Sequence, residues 1–217
     1  MCGRYFLDTL PELLAEQFRT HKHPVYQVSY NIAPTSRVLA LRTHGVELEW
    51  ANLSWGLVPS WSRDPKAGVK SINARAETAA EKPMFRSALK ARRCIVPASG
   101  YYEWQKHDGG KTPFAIVPTE QAALAFAGIW EHHTDRDGVV LESVAILTAE
   151  PTPALAYIHD RMPIMLQPEQ YAIWLGEDPT PARALLTGHL GVPVKPYVVS
   201  SAVGNVRNNY PGLIAPA

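Results

Sequence analysis

The sequence has only two cysteines, Cys2 and Cys94, and almost no excess of either charge. Two thiols do not make the disulfide framework of a small secreted domain, so we expect free thiols and a reducing, cytoplasmic setting. A net charge of +1 does not indicate a broad polyanion-binding surface, so any affinity for phosphates must come from a local group of Arg and Lys. No apolar run approaches the roughly 20 residues needed to cross a bilayer, and no membrane role is expected.

Signature motifs of several enzyme classes are also missing. There is no Walker loop, no Gly-x-Gly-x-x-Gly after a strand and no Gly-x-Ser-x-Gly elbow. His21, His23 and the adjacent His132 and His133 lack the partner spacing of a zinc site. The sequence therefore gives no support to a nucleotide-dependent enzyme, a serine hydrolase or a metalloprotein, and we expect no metal and no cofactor.

What is present favours one large folded domain spanning residues 1–217. A hydrophobic content of 46% suits a sizeable core, and the 19 prolines are scattered, which is typical of fixed loops rather than disorder. Strand-like segments alternate with turn signals such as Asp108-Gly109-Gly110. The pattern predicts an α+β fold in which hairpins build antiparallel strands.

Several local predictions follow from the same patterns. A short amphipathic helix is expected after Asp8 and Thr9, which we interpret as its caps. Ala123–Trp130 and Val139–Thr148 are predicted to pair as strands, and Thr152–Ile158 to form a helix.

Two further segments matter for the chemistry. The stretch from Trp55 to Trp61 is too rich in aromatics, Gly and Pro for one regular element, and it predicts a loop. Cys94–Pro97 has the pattern of a buried strand, so Cys94 is expected to be a core thiol rather than a ligand.

Cys2 carries the main chemical hypothesis. Once Met1 is removed, Cys2 has a free amine and a thiol, whose ordinary pKa values of about 7.7 to 8.0 and about 8.5 leave both partly deprotonated in a modest positive field. Such an aminothiol condenses with an aldehyde to an imine, and the thiol then closes a five-membered thiazolidine. Gly3 leaves room for a ligand to approach, and Arg4 offers a fork for a phosphate.

Three other residues have types suited to catalysis, although each also has an ordinary structural role. Glu103 lies among aromatic residues that would desolvate its carboxyl and suit it to general acid work, or it is an exposed or salt-bridged strand residue. Asn73 could hold a hydroxyl or an oxyanion, or simply cap a turn. His159 could shuttle a proton, or be structural.

Several segments, taken in order, resemble the successive motifs of the SOS response-associated peptidase family, whose members crosslink to abasic sites in single-stranded DNA. The resemblance extends from Cys2 to about Pro211. The segments are Met1-Cys2-Gly3-Arg4-Tyr5, Tyr30-Asn31-Ile32-Ala33-Pro34-Thr35, Trp55-Gly56-Leu57-Val58-Pro59, Asn73-Ala74-Arg75-Ala76-Glu77-Thr78, Arg93-Cys94-Ile95-Val96-Pro97-Ala98, Gly100-Tyr101-Tyr102-Glu103-Trp104 and His159-Asp160-Arg161-Met162-Pro163.

The resemblance implies a curved, barrel-like, mostly antiparallel β-sheet flanked by short helices. It also implies that Cys2 captures the ring-opened sugar of an abasic site as a thiazolidine. In this scheme Glu103 assists ring opening and proton transfer, Asn73 positions the amine and the sugar, and His159 orients the opened sugar and helps to reverse the crosslink.

The implied partner is single-stranded DNA containing abasic sites, bound by a monomer in the cytoplasm at the nucleoid. One departure from the family pattern is Glu150-Pro151, an acidic group and a missing N–H near the expected DNA surface. The implied DNA contacts are Gly3, Arg4, Arg75, Trp104, Thr148 and Arg161.

Two other functions stay open from the sequence. One is a thiol peptidase with Cys2 as nucleophile, and the family name implies at least self-removal of Met1. The other is a non-catalytic module that binds single strands through Arg75, Arg161 and Trp104.

Overall fold

The computed structural model describes residues 2–187 and 192–217, apart from the side chains of residues 65–67. Met1, whose removal is expected, lies outside these residues. The strands are β1 (Tyr5–Leu7), β2 (Ser29–Ile32), β3 (Arg37–His44), β4 (Glu47–Trp55), β5 (Asn73–Arg75), β6 (Arg93–Ala98), β7 (Gly100–His107), β8 (Gly110–Pro118), β9 (Leu124–Thr134), β10 (Val140–Ala149), β11 (Met162–Pro163) and β12 (Val194–Val198).

The helices are short. They are α1 (Pro11–Phe18), α2 (Ala76–Ala79), α3 (Arg86–Ala91), α4 (Tyr171–Leu175) and α5 (Pro179–Ala184), with 3₁₀ turns at Pro65–Lys70, Pro168–Gln170, Ser201–Gly204 and Pro211–Ile214. None of the helices in the described ranges has the length and hydrophobicity that crossing a membrane takes.

Five strands close into a barrel. Antiparallel pairing joins β4 to β3, β3 to β6, β6 to β9 and β9 to β10, and a parallel pair between β10 and β4 completes the ring. β6 is buried along its whole length, as expected for a strand covered on both faces. The predicted barrel-like, mostly antiparallel sheet is therefore confirmed.

A second sheet has the order β12-β8-β7-β1-β2 and packs against the barrel. Aromatic rings join the two layers: Tyr5 lies edge-on to Trp55 and Phe126 with ring centroids 5.3 and 6.1 Å apart. Each such contact adds about 0.5–1.5 kcal/mol beyond the area buried. The opposite face of this sheet forms a smaller core, around Phe6 and Tyr102, that the C-terminal segment covers.

Strand β10 brings distant parts of the chain to one end of the barrel. Beyond its short pairing with β4, it pairs in parallel with β5, so that Ile146 lies opposite Asn73 and Thr148 opposite Arg75. At the same end it pairs with β11, with Thr148 opposite Pro163. Segments that are far apart in sequence thus meet around the last residues of β10.

Most local predictions agree with the fold, but two are wrong. The strand pair is confirmed, since β9 and β10 pair directly. Asp8 and Thr9 do not cap α1: Leu10 precedes the helix without a side-chain bond, and the Thr9 hydroxyl lies 2.7 Å from the Ser99 hydroxyl instead.

The segment Thr152–Ile158 is not a helix. It consists of single turns, such as those closed by Leu155 N–H on Thr152 O and by Ile158 N–H on Leu155 O. Pro151 and Pro153 supply no N–H donor, and the buried side chains of Leu155 and Ile158 hold the turns against the core.

Candidate functional site at Cys2

Cys2 lies just before β1, next to strand β7. The β1–β7 pairing aligns Tyr5 with Tyr101 and continues through a 2.9 Å hydrogen bond from Tyr102 N–H to the Arg4 carbonyl, which brings the start of the chain beside Glu103. Cys2 is fully buried. Burial raises the pKa of the Cys2 thiol well above its usual range, and the neighbouring Glu103 carboxylate adds to the rise. The thiol is therefore protonated at neutral pH.

Asn73 holds the backbone of Cys2. Its side-chain Nδ2 donates a 2.7 Å hydrogen bond to the Cys2 carbonyl oxygen. Asn73 is the first residue of β5, and the preceding residue is fixed by a 2.9 Å hydrogen bond from the Trp55 indole N–H to the Ile72 carbonyl. The buried Asn73 Oδ1 has no protein partner within the described residues.

The loop that follows Trp55, the last residue of β4, explains why β5 lies where it does. Gly56 has φ of +135°, and a Cβ there would collide with the Gly68 carbonyl, so the two glycine backbones touch. The Gly56 N–H donates to Val144 O and the Leu57 N–H to Ser71 O. The predicted loop is confirmed, and it anchors the segment that leads into Asn73.

Glu103 lies on β7 and is 5% exposed. Burial raises the pKa of the Glu103 carboxyl, while the adjacent His159 opposes that rise. Its Oε2 lies 4.0 Å from His159 Nε2. A carboxyl in this position keeps its proton to a higher pH than an exposed one and has an imidazole within reach.

His159 follows the turns after β10. The Arg161 backbone N–H donates to His159 Nδ1 at 3.0 Å, and an Asp160 carboxylate oxygen lies 2.8 Å from the same nitrogen. The structure thus brings Cys2, Asn73, Glu103 and His159 to one end of the barrel.

The residues predicted to contact DNA fall on two faces. Arg75 is exposed at the start of α2, next to the site. Thr148 is fully buried, and its hydroxyl has no partner among the described residues. Arg161 hydrogen-bonds through Nη1 and Nη2 to the two Glu77 carboxylate oxygens, at 2.7 and 2.9 Å, and through Nη2 to the Thr148 carbonyl at 2.6 Å.

Arg4 and Trp104 lie on the other face of the second sheet. Strand side chains alternate between faces, so Arg4 and Trp104 point away from Glu103. The Arg4 guanidinium lies 5.9 Å from the Trp104 ring centroid and donates to Asn31 Oδ1 and the Val203 carbonyl, both at 2.8 Å.

Gly3 is half-buried between Cys2 and Arg4, and Glu150 is exposed directly after β10. The DNA contacts of all these residues, and the effect of Glu150-Pro151, stay predictions.

Sequence reasoning assigned no role to Asn31 and Glu77. The buried Asn31 amide donates to the carbonyls of Val203, Asn205 and Asn208 and so holds the C-terminal segment in place. Glu77 pairs with Arg161, 84 residues further along the chain. No local pattern signals such long-range partners.

The fold and the site together define a protein that carries its candidate nucleophile beside the first strand of a sheet packed on a closed barrel. A family model described as "SOS response associated peptidase (SRAP)" matches residues 1–206, and the chain belongs to this family.

Several relatives are similar over most of the chain. The abasic site processing protein YoqW of Bacillus subtilis (strain 168) is 38% identical, over 99% of each chain. The abasic site processing protein YedK of Escherichia coli (strain K12) is 33% identical over 100% of each. The abasic site processing protein HMCES of Xenopus tropicalis is 34% identical over 88% of this chain and 66% of its own.

Solved structures have the same fold. A protein from Bacteroides thetaiotaomicron superposes with a TM-score of 0.84 over 100% of both chains at 24% identity. A protein from Bordetella bronchiseptica has a TM-score of 0.80 at 26% identity, covering 92% of this chain and 100% of its own.

Proposed function

We propose that this protein captures abasic sites in single-stranded DNA as a covalent thiazolidine on Cys2, after removal of Met1, acting as a monomer in the cytoplasm at the nucleoid. Family membership and the names of the relatives support the lesion as substrate. The observation that carries the covalent step is the 2.7 Å bond from Asn73 to the Cys2 carbonyl, beside the Glu103–His159 pair.

The reaction proceeds in two bond-forming steps. The Cys2 amine attacks C1′ of the ring-opened deoxyribose, and the resulting carbinolamine loses water to give an imine. The thiol sulfur then adds to the imine carbon, and the thiol proton passes to the nitrogen. One water leaves overall, and no oxidant or reductant is consumed.

Glu103 acts as the general acid and base in this scheme. Because burial raises the pKa of its carboxyl, Glu103 holds a proton at a pH at which an exposed glutamate has lost it. It gives that proton to the sugar ring oxygen as the C1′–O4′ bond breaks, and takes up the proton that the 1′-hydroxyl loses as the aldehyde forms. Glu103 is then protonated again and can protonate the hydroxyl that leaves the carbinolamine as water. His159, 4.0 Å away, exchanges protons with it and serves the reverse reaction.

Burial of Cys2 serves the product as much as the reaction. A thiazolidine formed at a fully buried residue is shielded from water, and the closed ring removes the imine from which β-elimination would proceed. Asn73 Oδ1 and the Thr148 hydroxyl are buried polar atoms without protein partners in the described part of the chain, and they suit the hydroxyl of a bound sugar. Arg75, exposed next to them, suits a flanking phosphate.

Denaturing gel electrophoresis tests the proposal. The processed protein is incubated with a single-stranded oligonucleotide that carries one abasic site, beside the same lesion in a duplex and an undamaged strand. We expect a heat-stable shifted band that needs the lesion, is absent for Cys2→Ala and is retained by Cys94→Ala, the matched variant at the other buried thiol. If no band forms although intact mass confirms that Cys2 is N-terminal, the proposal is wrong.

The same proposal includes self-removal of Met1 by Cys2, which the family's peptidase name supports. The chain is made in a reconstituted translation system without methionine aminopeptidase, so that no other enzyme removes the residue. We expect intact mass to show loss of Met1 with time. A chain that keeps Met1 under these conditions would rule out self-processing, and the proposal of crosslinking would be unaffected.

A further inference from the structure

Two groups compete for one nitrogen of His159. The Arg161 backbone N–H lies 3.0 Å from Nδ1, and an Asp160 carboxylate oxygen lies 2.8 Å from it. A backbone N–H always donates, so it needs an Nδ1 without a proton, whereas the carboxylate needs Nδ1 to carry one. Only one of these hydrogen bonds exists at a time.

The hydrogen bond that forms at Nδ1 decides whether the nitrogen facing Glu103, Nε2, carries the ring proton. When Nδ1 accepts from Arg161, the neutral ring carries its proton on Nε2, which lies 4.0 Å from Glu103 Oε2. When Nδ1 donates to Asp160, a neutral ring has no proton on Nε2 to offer Glu103. The Asp160 side chain is 87% exposed, so water competes for it, which favours the Arg161 bond.

The side chain of Arg161 is held in place by hydrogen bonds to Glu77 and Thr148. This side chain is 11% exposed, and the guanidinium forms a two-pronged pair with Glu77 and a third bond to the Thr148 carbonyl of β10. A paired fork of this kind defines both distance and orientation. Glu77 lies in α2, directly after β5, so the pair joins the segment that carries Asn73 to the segment that carries His159.

We propose that Glu77 is a positioning residue for His159: by fixing Arg161, it keeps the Arg161 backbone N–H on Nδ1 and so keeps the proton on Nε2, facing Glu103. The kinetic consequence rests on the proposed function, but the choice of tautomer does not. Among the described residues, the charged groups near His159 include Glu103 from β7, Asp160 and Arg161 beside it, and Glu77 behind Arg161.

Nitrogen-15 NMR of the histidine rings tests the tautomer directly. The His159 signal is identified by its loss in His159→Asn, and Glu77→Ala and Glu77→Gln are compared with Glu81→Ala, an exposed glutamate that follows α2. We expect the Nε2–H form in the parent protein and in Glu81→Ala, and a mixture containing Nδ1–H in Glu77→Ala. Adding Asp160→Ala to Glu77→Ala removes the competing acceptor and should restore the Nε2–H form. Because a histidine in an unfolded chain also favours Nε2–H, a dispersed amide spectrum for each variant serves as the control that the fold is kept.

Single-turnover crosslinking gives the kinetic readout. We expect Glu77→Ala to slow the reaction of the bound complex about tenfold, as misplacement of a catalytic group does, with an unchanged rate in Glu81→Ala. The rate is measured at saturating protein, because Glu77→Ala also releases the Arg161 guanidinium, a predicted DNA contact. If the parent protein forms no crosslink, the proposed function is refuted, and the NMR result alone then decides whether Glu77 positions His159. A Glu77→Ala protein that is folded and keeps the parent's tautomer overturns the role of Glu77, whatever its rate.

Discussion

Cys2 and Cys94 are equally buried, and what surrounds them differs. Both side chains are fully shielded from solvent, and burial raises the pKa of both thiols. Cys2 has Asn73 on its carbonyl and Glu103 beside it. Cys94, in the middle of the barrel wall, has the Trp174 indole on its carbonyl at 2.8 Å and the backbone of Gly128 against its sulfur.

The comparison shows that burial does not mark a reactive thiol. The charged group that acts on the Cys94 thiol is Arg42, which lowers the thiol pKa less than burial raises it and is itself paired with Glu49 and Glu142. The described neighbours of Cys94 are thus an indole, a glycine backbone and an arginine that is already paired. Cys94 therefore contributes packing, and the polar neighbours of Cys2 account for its candidate role.

Removing the amide that holds Cys2 should have the largest effect. Asn73→Ala loses the 2.7 Å bond to the Cys2 carbonyl, and misplacement of a nucleophile costs on the order of a hundredfold in rate. We expect single-turnover crosslinking to slow by about that factor while salt-dependent binding to undamaged strands is kept. An Asn73→Ala protein that is as fast as the parent would show that Cys2 needs no such support, and the contrast with Cys94 would lose its basis.

Overpacking the side chain of Cys94 should lower the free energy of unfolding without changing the rate of crosslinking. In Gly128→Ala the new Cβ would lie 2.8 Å from Cys94 Sγ, and overpacking of this kind costs about 1–3 kcal/mol. Urea unfolding should show this loss, with crosslinking unchanged in the folded protein. The double variant Gly128→Ala/Cys94→Ala should recover part of the loss, since the cavity and the methyl group compensate. Strictly additive free energies of unfolding would contradict the contact.

The smallest effects are expected in the pH dependence of stability, where the two glutamates near the site, Glu103 and Glu77, should change the melting temperature in opposite directions. The folded-state pKa of Glu103 is raised by burial, so its contribution to stability is present below the unfolded value of about 4.3 and is lost as pH rises through the folded value. Glu103→Gln should therefore melt at a higher temperature than the parent near neutral pH, and the difference should vanish near pH 4.

Glu77 should behave in the opposite way. Hydrogen bonds from Arg161 lower the pKa of the Glu77 carboxyl, so its contribution is present above the unfolded value and is lost as pH falls through the folded one. Glu77→Gln should melt below the parent at neutral pH, by little because Glu77 is half-exposed, and should approach the parent in acid. Melting curves from pH 3 to 8 check both signs, and equal signs would contradict the assignment.

Local turn chemistry made much of the fold predictable. Asp108-Gly109-Gly110 predicts the hairpin between β7 and β8, in which His107 lies opposite Gly110. The prediction of a helix at Thr152–Ile158 was wrong because hydrophobic periodicity does not show that prolines lack N–H donors or that buried side chains hold the turns against the core. The parallel pairing of β10 with β4 and β5 has no local signal, because parallel neighbours need not be joined by a turn.

The site was predictable only in part. The chemistry of an aminothiol at Cys2 follows from residue type, and the family resemblance nominated Asn73, Glu103 and His159. That the four residues meet, and that Glu77 fixes Arg161, required the structure. Asn73 lies 71 residues and Glu77 84 residues from the partners they bind.

Turn residues, hydrophobic alternation and side-chain chemistry act over a few neighbouring residues, so the class of fold, the family and the candidate reactive group could be predicted from the sequence. Which of two buried thiols has polar neighbours, and which face of the second sheet each arginine occupies, could not be predicted in this way. Those properties depend on strand pairing between distant segments, and that pairing is stabilised by the packing of the whole barrel rather than by any single stretch of chain.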